Sequence, residues 1–190
     1  MALPRHFSGH RSGNADAPHL LEAYLDFVEV LPWLSANYPG KVQFIFRHQI
    51  QPWHPQSTLV HEASLAAERV DPTKFYEIAA SLFEQQASYF DEALVHKTRE
   101  QVYQQLSEQL SKVVDKPAAS IHAELAVPTG EPKNIGNKVT DDLKWHIKYA
   151  RQQGVHVSPS VYWDGIVDNS ISSGWDLSQW KAYIEKRLTA

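Results

Sequence analysis

His48, His54 and His61, with Trp53 among them, are the first residues in this chain whose types could do chemistry together. Imidazole is a common metal ligand and carries protons near neutral pH. The spacings of six and seven match no compact metal motif, however, and no Asp or Glu lies among the three before Glu62. They read as a strand end, a loop and a helix start carrying hydrogen-bonded histidines, with no metal site. Other chemical routes are closed by composition. The 190 residues include no cysteine, which excludes thiolate nucleophiles, cysteine metal ligands and structural disulfides. The chain has no glycine-rich phosphate loop, no Gly-x-Ser-x-Gly elbow and no His-Glu-x-x-His, and no catalytic residue stands out.

The bulk numbers narrow the partners. The formal charge is -4, with Lys and Arg scattered singly, so there is no basic stripe to neutralise phosphates and nucleic acid is not expected. The start, Met1-Ala2-Leu3-Pro4-Arg5-His6, has no apolar stretch resembling a signal peptide. No later segment approaches the ~20 apolar residues that a membrane span requires. The expectation is a cytoplasmic protein with no membrane partner. A length of 190 residues with 43% hydrophobic composition suffices for one domain, 1–190, around a continuous core.

The elements that must position any site follow from periodicity and stop signals. The chain up to about Pro18 is polar and Gly-containing and reads as an irregular arm. Leu20–Val28 and Val42–Arg47 are apolar, β-branched and aromatic runs that read as core strands. Between them Val30–Tyr38 allows about two helical turns before Pro39-Gly40 stops them. A helical block follows: Leu59–Val70 after Ser57 and Thr58, then a helix opened by Asp71 and Pro72 with Phe75, Ile78, Ala79, Leu82 and Phe83 on one face. Thr98 with Gln101 forms a capping box before Val102, Leu106, Leu110 and Val113, and the charged stretch Glu92–Glu108 reads as a solvated face. A short helix follows Pro117 to about Ala126, and Val127–Val139 is a loop. Thr140 or Asp141 caps a helix that ends at Gly154. The tail reads as a hairpin, Val161-Tyr162-Trp163 turning at Asp164-Gly165 into Ile166-Val167, and a helix from about Leu177 to Leu188.

Three stretches in this order resemble the DsbA family, including its fungal thioredoxin-like branch and the related glutathione transferase kappa and 2-hydroxychromene-2-carboxylate isomerase proteins. They are Gly13-Asn14-Ala15-Asp16-Ala17-Pro18 leading into Leu25-Asp26-Phe27-Val28; Phe44-Ile45-Phe46-Arg47-His48 with Pro52 to His61, Ala66-Ala67 and Phe83-Glu84-Gln85-Gln86; and Gly154-Val155-His156-Val157-Ser158-Pro159-Ser160-Val161. The resemblance implies an α/β thioredoxin-like fold with a helical insertion, its core at about 18–52 and 140–190 and the insertion at about 56–126. It also implies a cis-proline at Pro159. In redox-active relatives the first strand ends in Cys-Pro-x-Cys or Cys-Pro-x-Ser at the start of a long helix. Here Val28 is followed by Glu29-Val30-Leu31-Pro32-Trp33, as though the motif and roughly a dozen residues of helix were missing.

By the same resemblance, Ser158 beside Pro159 presents backbone N–H and C=O groups to a peptide or to glutathione, as an added strand would meet them. Trp33, Trp53 and Trp163 approach one another at the edge of the vacated site, with His48 and His54 nearby, whereas Trp145, Trp175 and Trp180 fall in helical patterns and read as core. The leading functional expectation is a redox-inactive binding or scaffold module, with no resident cofactor. An isomerase, a lyase or a glutathione-dependent transferase using His or Tyr acid–base groups stands beside it, as does a truncated inactive isoform. A shortened first helix would leave apolar surface open, so a homodimer is expected, swapped through Leu20–Val28 or meeting through Leu31, Trp33 and Leu34.

Overall fold

A computed structural model describes residues 8–24 and 27–189. The opening residues Met1–His6, and Leu25 and Asp26 of the first family-like stretch, lie outside the described residues. The chain divides into two compact units, one of residues Met1–Gln49 and Gln153–Ala190 and one of Ile50–Gln152.

The first unit is built on a five-stranded sheet. Its strands are β1 (His10–Ser12), β2 (His19–Ala23), β3 (Val42–Phe46), β4 (Val161–Trp163) and β5 (Ile166–Asp168), in the spatial order β1-β3-β2-β4-β5. β2 and β3 run parallel, with Leu21 beside Phe44 and Ala23 beside Phe46, and every other pair is antiparallel. Parallel neighbours need both faces covered, and all five residues of β3 are buried. β2 is shorter than the Leu20–Val28 expected from its apolar run. Its ladder ends at Ala23, where the five residues of β3 are used up, and Phe27 turns inward against the rings of Phe44 and Phe46 at 5.5 and 5.1 Å.

The arm expected to be irregular contains β1, which pairs with the outer edge of β3. Hydrophobic pattern could not reveal three polar residues held by backbone hydrogen bonds. Gly9 is what admits the strand: its φ is +67°, and a Cβ there would sit 2.6 Å from Ile45 Cγ2.

Helix α1 (Val30–Asn37) links β2 to β3 and has the two turns expected. Its Val30, Leu31 and Leu34 are buried within the chain, and its Trp33 is half-buried. That ring in turn meets Tyr38 edge-on at 5.6 Å and has the Lys181 ammonium over its face at 5.6 Å.

The hairpin joins β4 to β5 through Asp164 and Gly165, both at positive φ (50° and 82°), as a tight primed turn requires. β5 is tied down by Asp168. Its carboxylate accepts from Ser170 Oγ at 2.6 Å and Ser170 N–H at 3.0 Å, and from Arg187 Nη2 at 2.6 Å on the last helix, α8 (Leu177–Leu188) in this unit. These donors, the Ser170 hydroxyl foremost, hold the carboxyl at about 2. A carboxyl depressed in the folded state contributes stability above its unfolded value of ~3.9, and loses it as pH falls through the folded one. Unfolding free energy is therefore expected to drop between about pH 4 and 2. Urea titrations across that range should show a smaller drop for Asp168→Asn.

The second unit contains six helices among the described residues. These take the labels α2 (Pro55–Val70), α3 (Phe75–Glu84), α4 (Asp91–Leu94), α5 (Arg99–Val114), α6 (Ala118–Leu125) and α7 (Thr140–Gln152). α2 starts at Pro55, four residues before the expected Leu59. A proline at the first helical position sacrifices only an N–H that would go unpaired there. The Asp71 cap holds a one-turn 3-10 segment before α3, and the Thr98–Gln101 capping box opens α5 as expected. The core joins Ala63, Ala66 and Ala67 of α2, Ile78 of α3, Leu106 and Leu110 of α5, and Ile121 and Leu125 of α6. Val139 and Leu143 also belong to this core. α7 lies in the helical unit, where it packs on α2. Within this apolar core the Glu62 carboxylate is buried, accepting from the Tyr103 hydroxyl and from Arg99 Nη2 at 3.3 Å. No described helix is long and apolar enough to cross a membrane.

Candidate functional site

Ser158 and Pro159 lie in the segment that leads into β4, and the bond between them is cis. Val155, buried, anchors the start of this segment, and Tyr162 on β4 donates its hydroxyl to the Gln153 carbonyl at 2.9 Å. Two further hydrogen bonds fasten it to the end of β2. The Ser158 hydroxyl donates to the Tyr24 carbonyl at 2.6 Å, and the Tyr24 N–H donates to the Ser160 carbonyl at 3.0 Å. Among the described residues the backbone N–H and C=O of Ser158 have no hydrogen-bond partner. Val157, 51% exposed, stands next to them. The result is a short segment, bent over residues 157–159 and fastened to the end of β2, with one residue's backbone donor and acceptor open and an apolar side chain beside it.

The polar core behind this segment is a buried ion pair. Glu22 on β2 meets Arg47, just past β3, with Nη2–Oε2 at 3.1 Å and Nε–Oε1 at 3.0 Å. Burial and the Glu22 carboxylate push the neighbouring Tyr162 phenol up, so it stays protonated and available as a donor. At the other end of β2, His19 Nδ1 donates to Asp164 at 2.9 Å, and the Leu20 N–H donates to the same carboxylate at 2.7 Å. Burial raises Asp164, but these hydrogen bonds outweigh it and hold the carboxyl below its ordinary range.

Within the sheet unit, Trp33 and Trp163 pack on different rings. Trp163 is buried, with His19 at 5.4 Å and Tyr183 at 6.0 Å, while Trp33 faces Tyr38 and Lys181. Trp53, 61% exposed, and His54 belong to the helical unit. There the exposed His54 pairs with Asp91 at 3.2 Å, and Gln56 donates to the same carboxylate at 2.6 Å. Of the tryptophans read as core, Trp180 is buried and packs on Trp175 at 5.4 Å; Trp145 is half-buried with Lys148 over its ring.

His48 is buried, at 3% exposure, and its close imidazole neighbour within the sheet unit is His10, with ring centroids 5.0 Å apart. The sequence spacing groups His48 with His54 and His61 and gives no sign of His10. The pairing comes from β1, so nothing in the local pattern pointed to it.

No protein-family model matches the chain, and no curated protein matches it in sequence. Solved structures do match its fold. A protein named as a protein-disulfide isomerase from Pseudomonas syringae aligns at 24% identity and a TM-score of 0.70, over 94% of this chain and 99% of that one. BdbD from Bacillus subtilis, in its oxidised form, aligns at 18% identity and 0.67, over 95% and 92%. A periplasmic thioredoxin-like protein from Salmonella enterica aligns at 16% identity and 0.58, over 97% and 92%. At these identities the likeness shows the fold alone: a DsbA-like thioredoxin fold, in a chain without cysteine.

Proposed function

We propose that this DsbA-like thioredoxin-fold chain is a redox-inactive binding protein, which takes an extended peptide or a glutathione-like molecule along Ser158-Pro159. The observation that carries the reading is the open N–H and C=O of Ser158, in a segment pinned to β2 by the Ser158 hydroxyl and flanked by exposed Val157. An extended ligand satisfies such a pair as an added strand does, and an apolar neighbour gives it a place to bury a side chain. Pinning the segment in advance lowers the ordering cost of binding.

Thiol chemistry is the first thing to test. With no cysteine in the chain, the rate of insulin reduction by dithiothreitol is expected to equal the no-protein blank, and the melting curve to be unchanged by reductant. Turnover above the blank would overturn the redox-inactive part of the proposal.

Binding is tested by thermal shift with reduced glutathione, S-methylglutathione and extended eight-residue peptides. A ligand of the folded state present at 100 times its Kd adds about 2.7 kcal/mol and must raise the midpoint. We expect a rise with at least one of these probes, lost in Val157→Asp, whose fold is checked by an unaltered melt without ligand. A rise of equal size in that variant would place binding elsewhere; no rise with any probe would sink the proposal.

A further inference from the structure

We propose that His10 and His48 chelate a late first-row divalent cation, with Cu2+ bound tightest, at a site in the sheet unit. The geometry comes from the strand register. β1 places His10 opposite Phe46, and His48 follows Phe46 by two residues, so the three rings fall on one side of the β1–β3 pair. Their centroids confirm it: His10 to Phe46 6.2 Å, Phe46 to His48 5.3 Å, and His10 to His48 5.0 Å with the imidazoles at 88° to each other. The ligating nitrogens of this pair lie within 4.8 Å of each other.

Two imidazoles on one ion, each at ~2.0–2.1 Å, bring their nitrogens to roughly 3 Å. The remaining gap of up to about 2 Å is within reach of side-chain rotation by His10, half-buried on a three-residue edge strand. His48, buried beside Phe46, is the fixed member. Paired nitrogen donors favour imidazole-seeking metals over Mg2+ and Ca2+, and among those Cu2+ leads. The pair leaves coordination positions on the ion for water or a further donor. Strand pairing alone brings two histidines 38 positions apart in sequence together.

The test uses the full chain, stripped with chelator and titrated with CuCl2, NiCl2, ZnCl2 and MgCl2 in a non-coordinating buffer. One equivalent of Cu2+ is expected to bind saturably, to raise the thermal midpoint by about 3 °C or more, and to give an electron paramagnetic resonance signal with nitrogen hyperfine structure. Ni2+ and Zn2+ should bind more weakly, and Mg2+ should shift nothing. His48→Ala removes a buried ring and can fail to fold, so the deciding variant is His10→Phe, which keeps an aromatic ring against Phe46. It is expected to melt normally without metal and to lose at least tenfold in Cu2+ affinity. His19→Gln and His54→Gln should bind like the parent. No saturable one-equivalent step in the parent, or equal affinity in His10→Phe, overturns the proposal.

Discussion

Glu22→Gln is expected to lower the unfolding free energy by about 3–5 kcal/mol, a large part of the total for a domain of this kind. Arg47 is 2% exposed, and its guanidinium cannot shed its charge. The Glu22 carboxylate meets it through two nitrogen–oxygen contacts of 3.0 and 3.1 Å. The surroundings offer no easy retreat. A Cβ at Gly9 would come within 2.8 Å of Arg47 Nη1, so the guanidinium is walled in by the residue before β1. Once Glu22 is neutral, the buried cation loses the charge that faces it across both contacts, and that sets the cost. The double replacement Glu22→Leu with Arg47→Met should recover most of the loss, since an apolar pair of similar volume carries no desolvation penalty. Urea denaturation of the three proteins decides it. A Glu22→Gln midpoint equal to the parent's would show that water reaches the pair.

Leu106→Ala should cost about 2–5 kcal/mol, with an effect read in the helical unit. Leu106 is wholly buried on α5, the helix that packs on α2, α3 and α6 at once. Its neighbours in the core include Ile78, Leu110, Ile121 and Leu125, fully buried side chains carried on three separate helices. A helix held on three sides cannot shift to close the hole without opening another, so the upper half of that range is expected. Val113→Ala on the same helix is the comparison. It is only partly buried at the edge of the same cluster, so the two carbons removed should cost less than the ~0.8 kcal/mol apiece that full burial would forfeit, under about 1.5 kcal/mol in all. Far-ultraviolet circular dichroism during urea unfolding reads both. Equal losses at the two positions would mean the core relaxes freely.

What the sequence made legible was whatever repeats locally. The stripe from Phe75 to Leu82, the box at Thr98–Gln101, and the Asp164-Gly165 turn are decided by residues within a few positions of one another, and all are present. Elements decided by distant partners were the ones misread. β1 is polar and three residues long, and it exists because β3 has an edge to offer. β2 stops where β3 stops, not where its own apolar run does. The candidate site divides in the same way. Ser158 and Pro159 could be singled out from a local pattern shared with a known family. The partner of the Ser158 hydroxyl, Tyr24, is 134 positions away. Trp33 and Trp163 show the same thing within the sheet unit: alike in kind, they take their ring neighbours from their places in the fold, Trp33 from Tyr38 and Trp163 from His19 and Tyr183.

β1 also carries a consequence for handling and turnover of the protein. The sequence it covers, Val42-Gln-Phe-Ile-Phe, is apolar or uncharged at every position and is buried along its whole length. Such segments, once presented as a bare sheet edge, are templates for intermolecular cross-β stacking. A protease cut after Ser12, or an expression boundary drawn past Gly13, would strip the cover from β3 while leaving its remaining strand neighbour, β2, in place. The short polar strand, in an arm that reads as irregular in the sequence, acts as a guard, and the solution lifetime of a shortened chain would be set by how fast such bared edges find one another.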